Sequence, residues 1–348
     1  LTAKCFKSII IPKHSFEFAK RLPKRARRMY MSIKNVVVAG GGVLGSQIAF
    51  QTAYRGFNVT LWLRSAESIE RTKPKIERLR GIYLTELEAA KAKAGVKGAM
   101  VSRGLIPDIE NATAESIEEL KNKVEEAYKN LKYETDLAKA VKDCDLVIES
   151  MAENPEAKVD FYTKLNAVLE DKTIVATNSS TMIPSQFRHC FTKPEKYLAI
   201  HFANNIWKSN TAEIMGHDGT DKAAYDAVAK FAEDIAMVPL KLQKEQPGYI
   251  LNSMLVPFLK SGEMLLAKEV ADPATIDLTW RLGTGSPLGP FQILDIVGLT
   301  TAYNINMMDP LATSDPDSIP AKIGAILKKY IDEGKTGINA GEGFYKYK

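Results

Sequence analysis

Residues 33–39 form a short β-branched run that stops at three successive glycines, Gly40, Gly41 and Gly42. Apolar positions then recur at helical spacing over 44–53 and end near Gly56, after which 59–63 return to a strand-like run. This predicts a strand, glycine turn, helix and strand within about thirty residues. Over 65–131 Glu, Lys and Ala dominate, with helical patches at 85–94 and 114–130, which reads as a solvated helical insertion or, alternatively, a cover over an extended substrate. The alternation then resumes with a strand at 146–148, a helix at 157–169, a strand at 173–177 and further strands at 197–200 and 212–215. Short apolar strands alternating with helices predict a mostly parallel sheet covered on both faces. From Gln246-Pro247-Gly248 onward strand runs give way to helical spacing, so a boundary is expected there. The expected organisation is a basic leader at 1–30 outside the fold, an α/β domain at 31–245 with the insertion at about 65–131, and a helical domain at 246–348.

The length of 348 residues and 45% hydrophobic content suit a folded chain of about two domains. Nine of the 47 Lys and Arg lie in the first thirty residues against one acid, Glu17, leaving 38 basic and 41 acidic residues beyond them. The net charge of +5 is therefore a property of the leader, and no nucleic-acid partner is expected. The leader has the composition of an organelle transit peptide. Met31-Ser32-Ile33-Lys34 also reads as a natural start, which favours an upstream extension or a cloning remnant and a cytoplasmic protein. No uncharged apolar run reaches the length of a bilayer span, so no membrane partner is expected. Cys5, Cys144 and Cys190 lack disulfide or metal spacing, and no metal is expected.

Gly40-Gly41-Gly42-Val43-Leu44-Gly45 satisfies G-x-G-x-x-G between a strand and a helix. Gly40 permits the tight turn, Gly42 lets the backbone approach a pyrophosphate, and Gly45 brings helix against strand, while the helix N-terminus with Val43 and Leu44 faces the phosphates. The fold class is thus α/β, a Rossmann-type doubly wound sheet followed by an all-α domain. The cofactor is NAD or NADP. At the end of the second strand Leu63-Arg64-Ser65 offers a guanidinium and a hydroxyl where an NAD site usually has a carboxylate, which favours a 2′-phosphate and NADP.

From about residue 33 to the C-terminus the chain resembles the 3-hydroxyacyl-CoA dehydrogenase family. The matches are Glu149-Ser150-Met151-Ala152-Glu153-Asn154 with Lys158, Asn178-Ser179-Ser180-Thr181, His201-Phe202-Ala203-Asn204, Pro247-Gly248-Tyr249-Ile250-Leu251-Asn252, the Gly-rich stretch 283–298 and Gly341-Glu342-Gly343-Phe344-Tyr345. The resemblance implies His201 as catalytic acid/base with Glu213 as its partner, and Ser180 and Asn252 beside the reacting oxygen. Imidazole chemistry suits the role, since hydride transfer at C3 requires a proton to leave or reach the C3 oxygen. It also implies Glu153, Lys158, Ser180 and Asn204 as cofactor- or substrate-side polar groups; an exposed charge pair is the alternative for Glu153 and Lys158.

The implied reaction interconverts an (S)-3-hydroxyacyl-CoA and its 3-oxo form, with a homodimer formed through the helical domain. One departure stands out: after Asn204 the chain reads Asn205-Ile206-Trp207-Lys208-Ser209-Asn210 where the family has a Pro-containing loop. That loop and the insertion keep open a free 3-hydroxy acid, of sugar-acid or carnitine type, as the substrate. A catalytically silent dinucleotide-binding protein is the non-enzyme alternative, and it has no need of His201 and Glu213.

Overall fold

In the computed structural model residues 33–347 are described; the leader lies outside them. The chain divides between Tyr249 and Ile250 into two compact units.

The first unit opens with β1 (Asn35–Ala39), α1 (Val43–Tyr54) and β2 (Asn58–Trp62). Next come α2 (Ala66–Lys91), α3 (Ala114–Asn130), β3 (Lys132–Glu134) and α4 (Leu137–Val141). Then follow β4 (Leu146–Glu149), α5 (Pro155–Asn166), β5 (Ile174–Thr177), β6 (Tyr197–Phe202), β7 (Thr211–Met215), α6 (Lys222–Asp234) and β8 (Val238–Lys241). The strand order is β3-β2-β1-β4-β5-β6-β7-β8. All neighbours are parallel except β6 and β7, so the last two strands run against the other six. The doubly wound class is borne out. β1 and β4 are neighbours although β2 and β3 intervene in the chain, which makes the crevice beyond their carboxyl ends the switch point where such sheets bind ligands.

Two expectations about elements need correction. β3 and β8 escaped the sequence reading because each is a short outer strand of mixed character, Lys-Tyr-Glu and Val-Pro-Leu-Lys, with little burial to impose a pattern. The stretch 65–131 is not a solvated insertion. α2 is one 26-residue helix, N-capped by Ser65, that buries Thr72, Ile76, Leu79, Tyr83, Leu87 and Ala90 along one stripe. Tyr83 meets Phe50 and Tyr54 of α1 edge-on at 5.1 and 5.6 Å, so α2 belongs to the main core. Its charged residues occupy the other face, where Arg80 pairs with Glu125 and Lys121 with Glu88 across to α3.

The second unit is helical, starting one residue into α7 (Tyr249–Ala267), whose first residue belongs to the first unit, and continuing with α8 (Pro273–Thr284), α9 (Pro290–Val297), α10 (Leu299–Asn306), α11 (Leu311–Ser314) and α12 (Ile319–Asp332). Its core gathers Leu259, Ile276, Phe291, Leu294, Leu299, Ile323 and Leu327. Two buried carboxylates organise it: Asp277 accepts the amides of Phe291 and Gln292, and Asp295 those of Phe344 and Tyr345. By length and composition α7 is also apolar enough to cross a bilayer. The sequence reading counted only uncharged runs, and Lys260 and Glu263 interrupt this one.

Candidate active site

The glycine turn owes its shape to close approaches. Gly40 has φ +121°, and a Cβ there would collide with the Ser150 carbonyl at the end of β4. A Cβ on Gly45 would strike the Gly40 carbonyl, whereas Gly42 faces open space. Gly42 also supplies no side-chain cap, so the first-turn N–H groups of α1 are left for a ligand. These features line a cleft of about 560 Å³ over the switch point, bounded by Gly40–Gly45, the end of β2 through Arg64, the first turns of α2, the loop after β4 and Ser180. The residues fit a dinucleotide pyrophosphate.

Beside the cleft lies a buried hydrogen-bond chain. His201 in β6 and Glu213 in β7 stand directly opposite each other in the antiparallel register. The imidazole Nδ1 is 2.9 Å from Glu213 Oε2, and both side chains are buried. On the other side of the ring, Nε2 is 3.2 Å from Ser180 Oγ. Ser180 sits in the turn after β5, and Asn178 ties that turn to β6 by accepting the Phe202 amide at 3.0 Å. A carboxylate fixing Nδ1 leaves Nε2 and the serine hydroxyl to exchange one proton with a third oxygen.

Models of two domains match in succession: 3-hydroxyacyl-CoA dehydrogenase, NAD binding domain, over residues 35–246, and the C-terminal domain of the same enzyme over 248–347. The chain belongs to the 3-hydroxyacyl-CoA dehydrogenase family. It is thus an oxidoreductase with a nicotinamide dinucleotide as cofactor. The human mitochondrial hydroxyacyl-coenzyme A dehydrogenase is 29% identical over 91% of this chain and 92% of its own. A solved diketoreductase, described as a catalyst for dicarbonyl compounds, is 45% identical with a TM-score of 0.77, covering 91% of this chain and 99% of that one. The (S)-3-hydroxybutyryl-CoA dehydrogenase of Ralstonia eutropha shares the fold at 22% identity and a TM-score of 0.69, over 91% and 100% of the two chains.

In this member of the family the polar residues named from the sequence divide. His201, Glu213 and Ser180 come together, and Val43 and Leu44 begin α1 on the cleft wall. Arg64 is exposed and lines the cleft. Ser65 does not offer its hydroxyl there: it caps α2 by accepting the Ser68 amide, and Ser68 takes the lining position. Asn204 is exposed beyond β6, and Asn252 lies in the first turn of α7, in the second unit.

Lys158 and Glu153 are not an exposed pair. Lys158 is 1% exposed, and its ammonium donates to both oxygens of the fully buried Glu149 at 2.7 and 2.8 Å. Tyr162, Thr177 and the Met151 amide complete the shell of that carboxylate, each at 2.7 Å. Lys158 directs its ammonium at the carboxylate that ends β4, where it neutralises that buried charge, and both Lys158 and Glu153 also border the cleft. Glu153 instead binds the serine turn, accepting the Ser179 hydroxyl at 2.6 Å and the Ser180 amide at 2.7 Å.

Sequence reasoning missed four groups. Arg71, Thr72 and Lys75 reach the cleft from α2, Lys75 donating to the Gly41 carbonyl at 2.7 Å; their spacing along one helical face was the available signal. The fourth is Glu149, which nothing local distinguishes from Glu153.

Proposed function

We propose that this chain reduces, and in reverse regenerates, a ketone placed β to a second carbonyl, with an (S)-3-hydroxyacyl-CoA as the alcohol form. The observation that carries the reading is the Glu213–His201–Ser180 chain opening beside the dinucleotide cleft. The bound nicotinamide supplies or accepts the hydride. In the oxidative direction His201 Nε2 takes the hydroxyl proton while Glu213 holds Nδ1–H and stabilises the imidazolium that forms. In the reductive direction the same nitrogen returns the proton. Ser180 Oγ donates a hydrogen bond to the substrate oxygen as its charge changes, which lowers the barrier electrostatically. Gly42 and the first turn of α1 hold the pyrophosphate. Arg64, with Arg71 and Lys75 behind it and no carboxylate at the end of β2, favours NADP.

The 45% identity with a diketoreductase supports a second reading, a dicarbonyl substrate without CoA. The two share their chemistry, because a 3-oxoacyl thioester is itself a 1,3-dicarbonyl compound. What separates them is recognition of the CoA moiety. The test follows absorbance at 340 nm with acetoacetyl-CoA and with free acetoacetate, each with NADPH and NADH, on the wild type and His201→Ala. Turnover of acetoacetyl-CoA alone supports the thioester, equal turnover of free acetoacetate supports the second reading, and near-normal turnover by His201→Ala removes the acid/base assignment from both.

A further inference from the structure

Tyr249 touches His201 and the peptide bond that leads into Ser180. Its ring is fully buried and lies nearly parallel to the imidazole, centroids 4.4 Å apart and planes inclined by 14°. Its hydroxyl donates to the Ser179 carbonyl at 2.8 Å. The Ser180 amide, on the other side of that same peptide bond, donates to Glu153 at 2.7 Å. The peptide that presents Ser180 is therefore held at its oxygen by Tyr249 and at its nitrogen by Glu153. Burial first, and then the carboxylates of Glu153, Glu213 and Glu149, push the phenol well above its ordinary range, so it stays a donor wherever the protein is folded.

The backbone adds an independent sign. Gly248 and Tyr249 have φ of +79° and +55° in succession. The first is ordinary for glycine, but a bulky L-residue in the left-handed region is an outlier. Such a conformation persists only where the surroundings over-determine it, and it recurs at functional sites. Here it turns the ring onto His201 at the first residue of α7, among Ala199, Met215, Ile183 and Leu242.

We propose that Tyr249 is a positioning residue for the proton-transfer pair: its ring sets the plane of His201, and its hydroxyl fixes the peptide that carries Ser180. The proposal rests on the acid/base reading of His201. A ring that merely fills space would leave turnover untouched when its hydroxyl is removed, whereas a positioning group would not, since small misplacements of reacting groups slow catalysis strongly.

The experiment compares Tyr249→Phe, Tyr249→Leu and His201→Ala in the full chain, with acetoacetyl-CoA and NAD(P)H. Tyr249→Phe is expected to lower kcat about tenfold, and Tyr249→Leu about a hundredfold, with KM and the dinucleotide Kd within about twofold of wild type. Partial rescue by the near-isosteric Phe then separates the hydroxyl from the stack. Independently of turnover, the ring 1H–15N signals of His201, assigned by their loss in His201→Ala, should shift in Tyr249→Leu and much less in Tyr249→Phe. If His201→Ala is inactive while both Tyr249 variants keep wild-type kcat and lose only thermal stability, the positioning role is wrong and the acid/base reading survives. If His201→Ala retains turnover, that reading fails and this inference goes with it.

Discussion

Lys158→Met tests whether the lysine is a ligand-binding group or half of a buried ion pair. The substitution nearly preserves the shape of the side chain but strips Glu149, which is fully buried, of the cation it pairs with. Removing one partner of a buried pair costs about 3–5 kcal/mol, because the other charge stays behind uncompensated. Three donors remain on the carboxylate, Met151 N, Tyr162 and Thr177. Hydrogen bonds to a charged group are worth about 1.5–3 kcal/mol each, which places the loss at the lower end, about 3 kcal/mol. For a unit of this size that corresponds to a fall in melting temperature of about 6–12 °C. Glu149→Gln/Lys158→Met removes both charges and should recover to within about 1 kcal/mol of wild type, with a coupling far outside additivity. The assay is chemical and thermal unfolding of the full chain by circular dichroism, with kinetics measured well below the transition. A single variant as stable as wild type refutes the pairing argument. A stable variant whose KM for cofactor or substrate rises about tenfold restores the binding role that the family resemblance implied.

Three further outcomes follow from the same structure. Arg64→Asp should raise the KM for NADPH by about tenfold or more and leave NADH unchanged or improved, since the proposed NADP reading assigns the 2′-phosphate to that guanidinium; equal effects on both cofactors make Arg64 a surface charge. Asp145 holds the start of β1 by accepting the amides of Lys34 and Asn35 at 2.9 Å each. Burial opposes its ionisation, but those amides and Lys172 outweigh it and keep its carboxyl below the usual 3.8. A depressed carboxyl stabilises the fold above its unfolded pKa and loses that contribution as pH falls through the folded value. Unfolding midpoints should therefore drop below about pH 4 less steeply in Asp145→Asn, and parallel curves would contradict this. Finally, the second unit exposes Met254, Leu282 and Met308 by 70%, 77% and 76%. Light scattering should give twice the 38.5 kDa chain mass. Leu282→Glu should shift it toward the monomer, and a wild-type monomer would end the proposal of a homodimer.

What was legible in the sequence is what local sterics impose. The glycine turn can be read from residues because Gly45 is forced by the Gly40 carbonyl five residues away and Gly40 by its positive φ. His201 and Glu213, twelve positions apart, could be joined only through resemblance. The reason is the antiparallel reversal of β7, a tertiary fact that sets the two side chains face to face. The exposed-pair alternative for Lys158 fails for the complementary reason: spacing points to Glu153, the nearer acid, whereas the ion-pair partner is Glu149 at the strand end, nine positions away. The stripe of α2 was legible in principle, since Ile76, Leu79, Tyr83 and Leu87 follow helical spacing. The Glu, Lys and Arg on its outer face outnumbered it.

The two features that cast doubt on the substrate, the unusual loop after Asn204 and the long segment between β2 and β3, are physically one. Gly104, between α2 and α3, donates its amide to the Trp207 carbonyl at 2.9 Å, and a Cβ there would stand 2.8 Å from the Trp207 Cα. The Trp207 ring is buried against Tyr83 of α2 at 5.6 Å, while Gln47 of α1 accepts the amides of Asn205 and Ile206 at 2.9 and 3.3 Å. Lys208 and Ser102 close the unit by sharing Glu86. A loop anchored on three sides cannot be exchanged for a Pro-containing one without reopening the core under α2. The chain therefore carries the loop after Asn204 and its long crossover as a matched pair. A swap of residues 205–210 alone is expected to destabilise the first unit before it changes which carbonyl compound is accepted, and only a joint exchange with 99–106 would report on specificity.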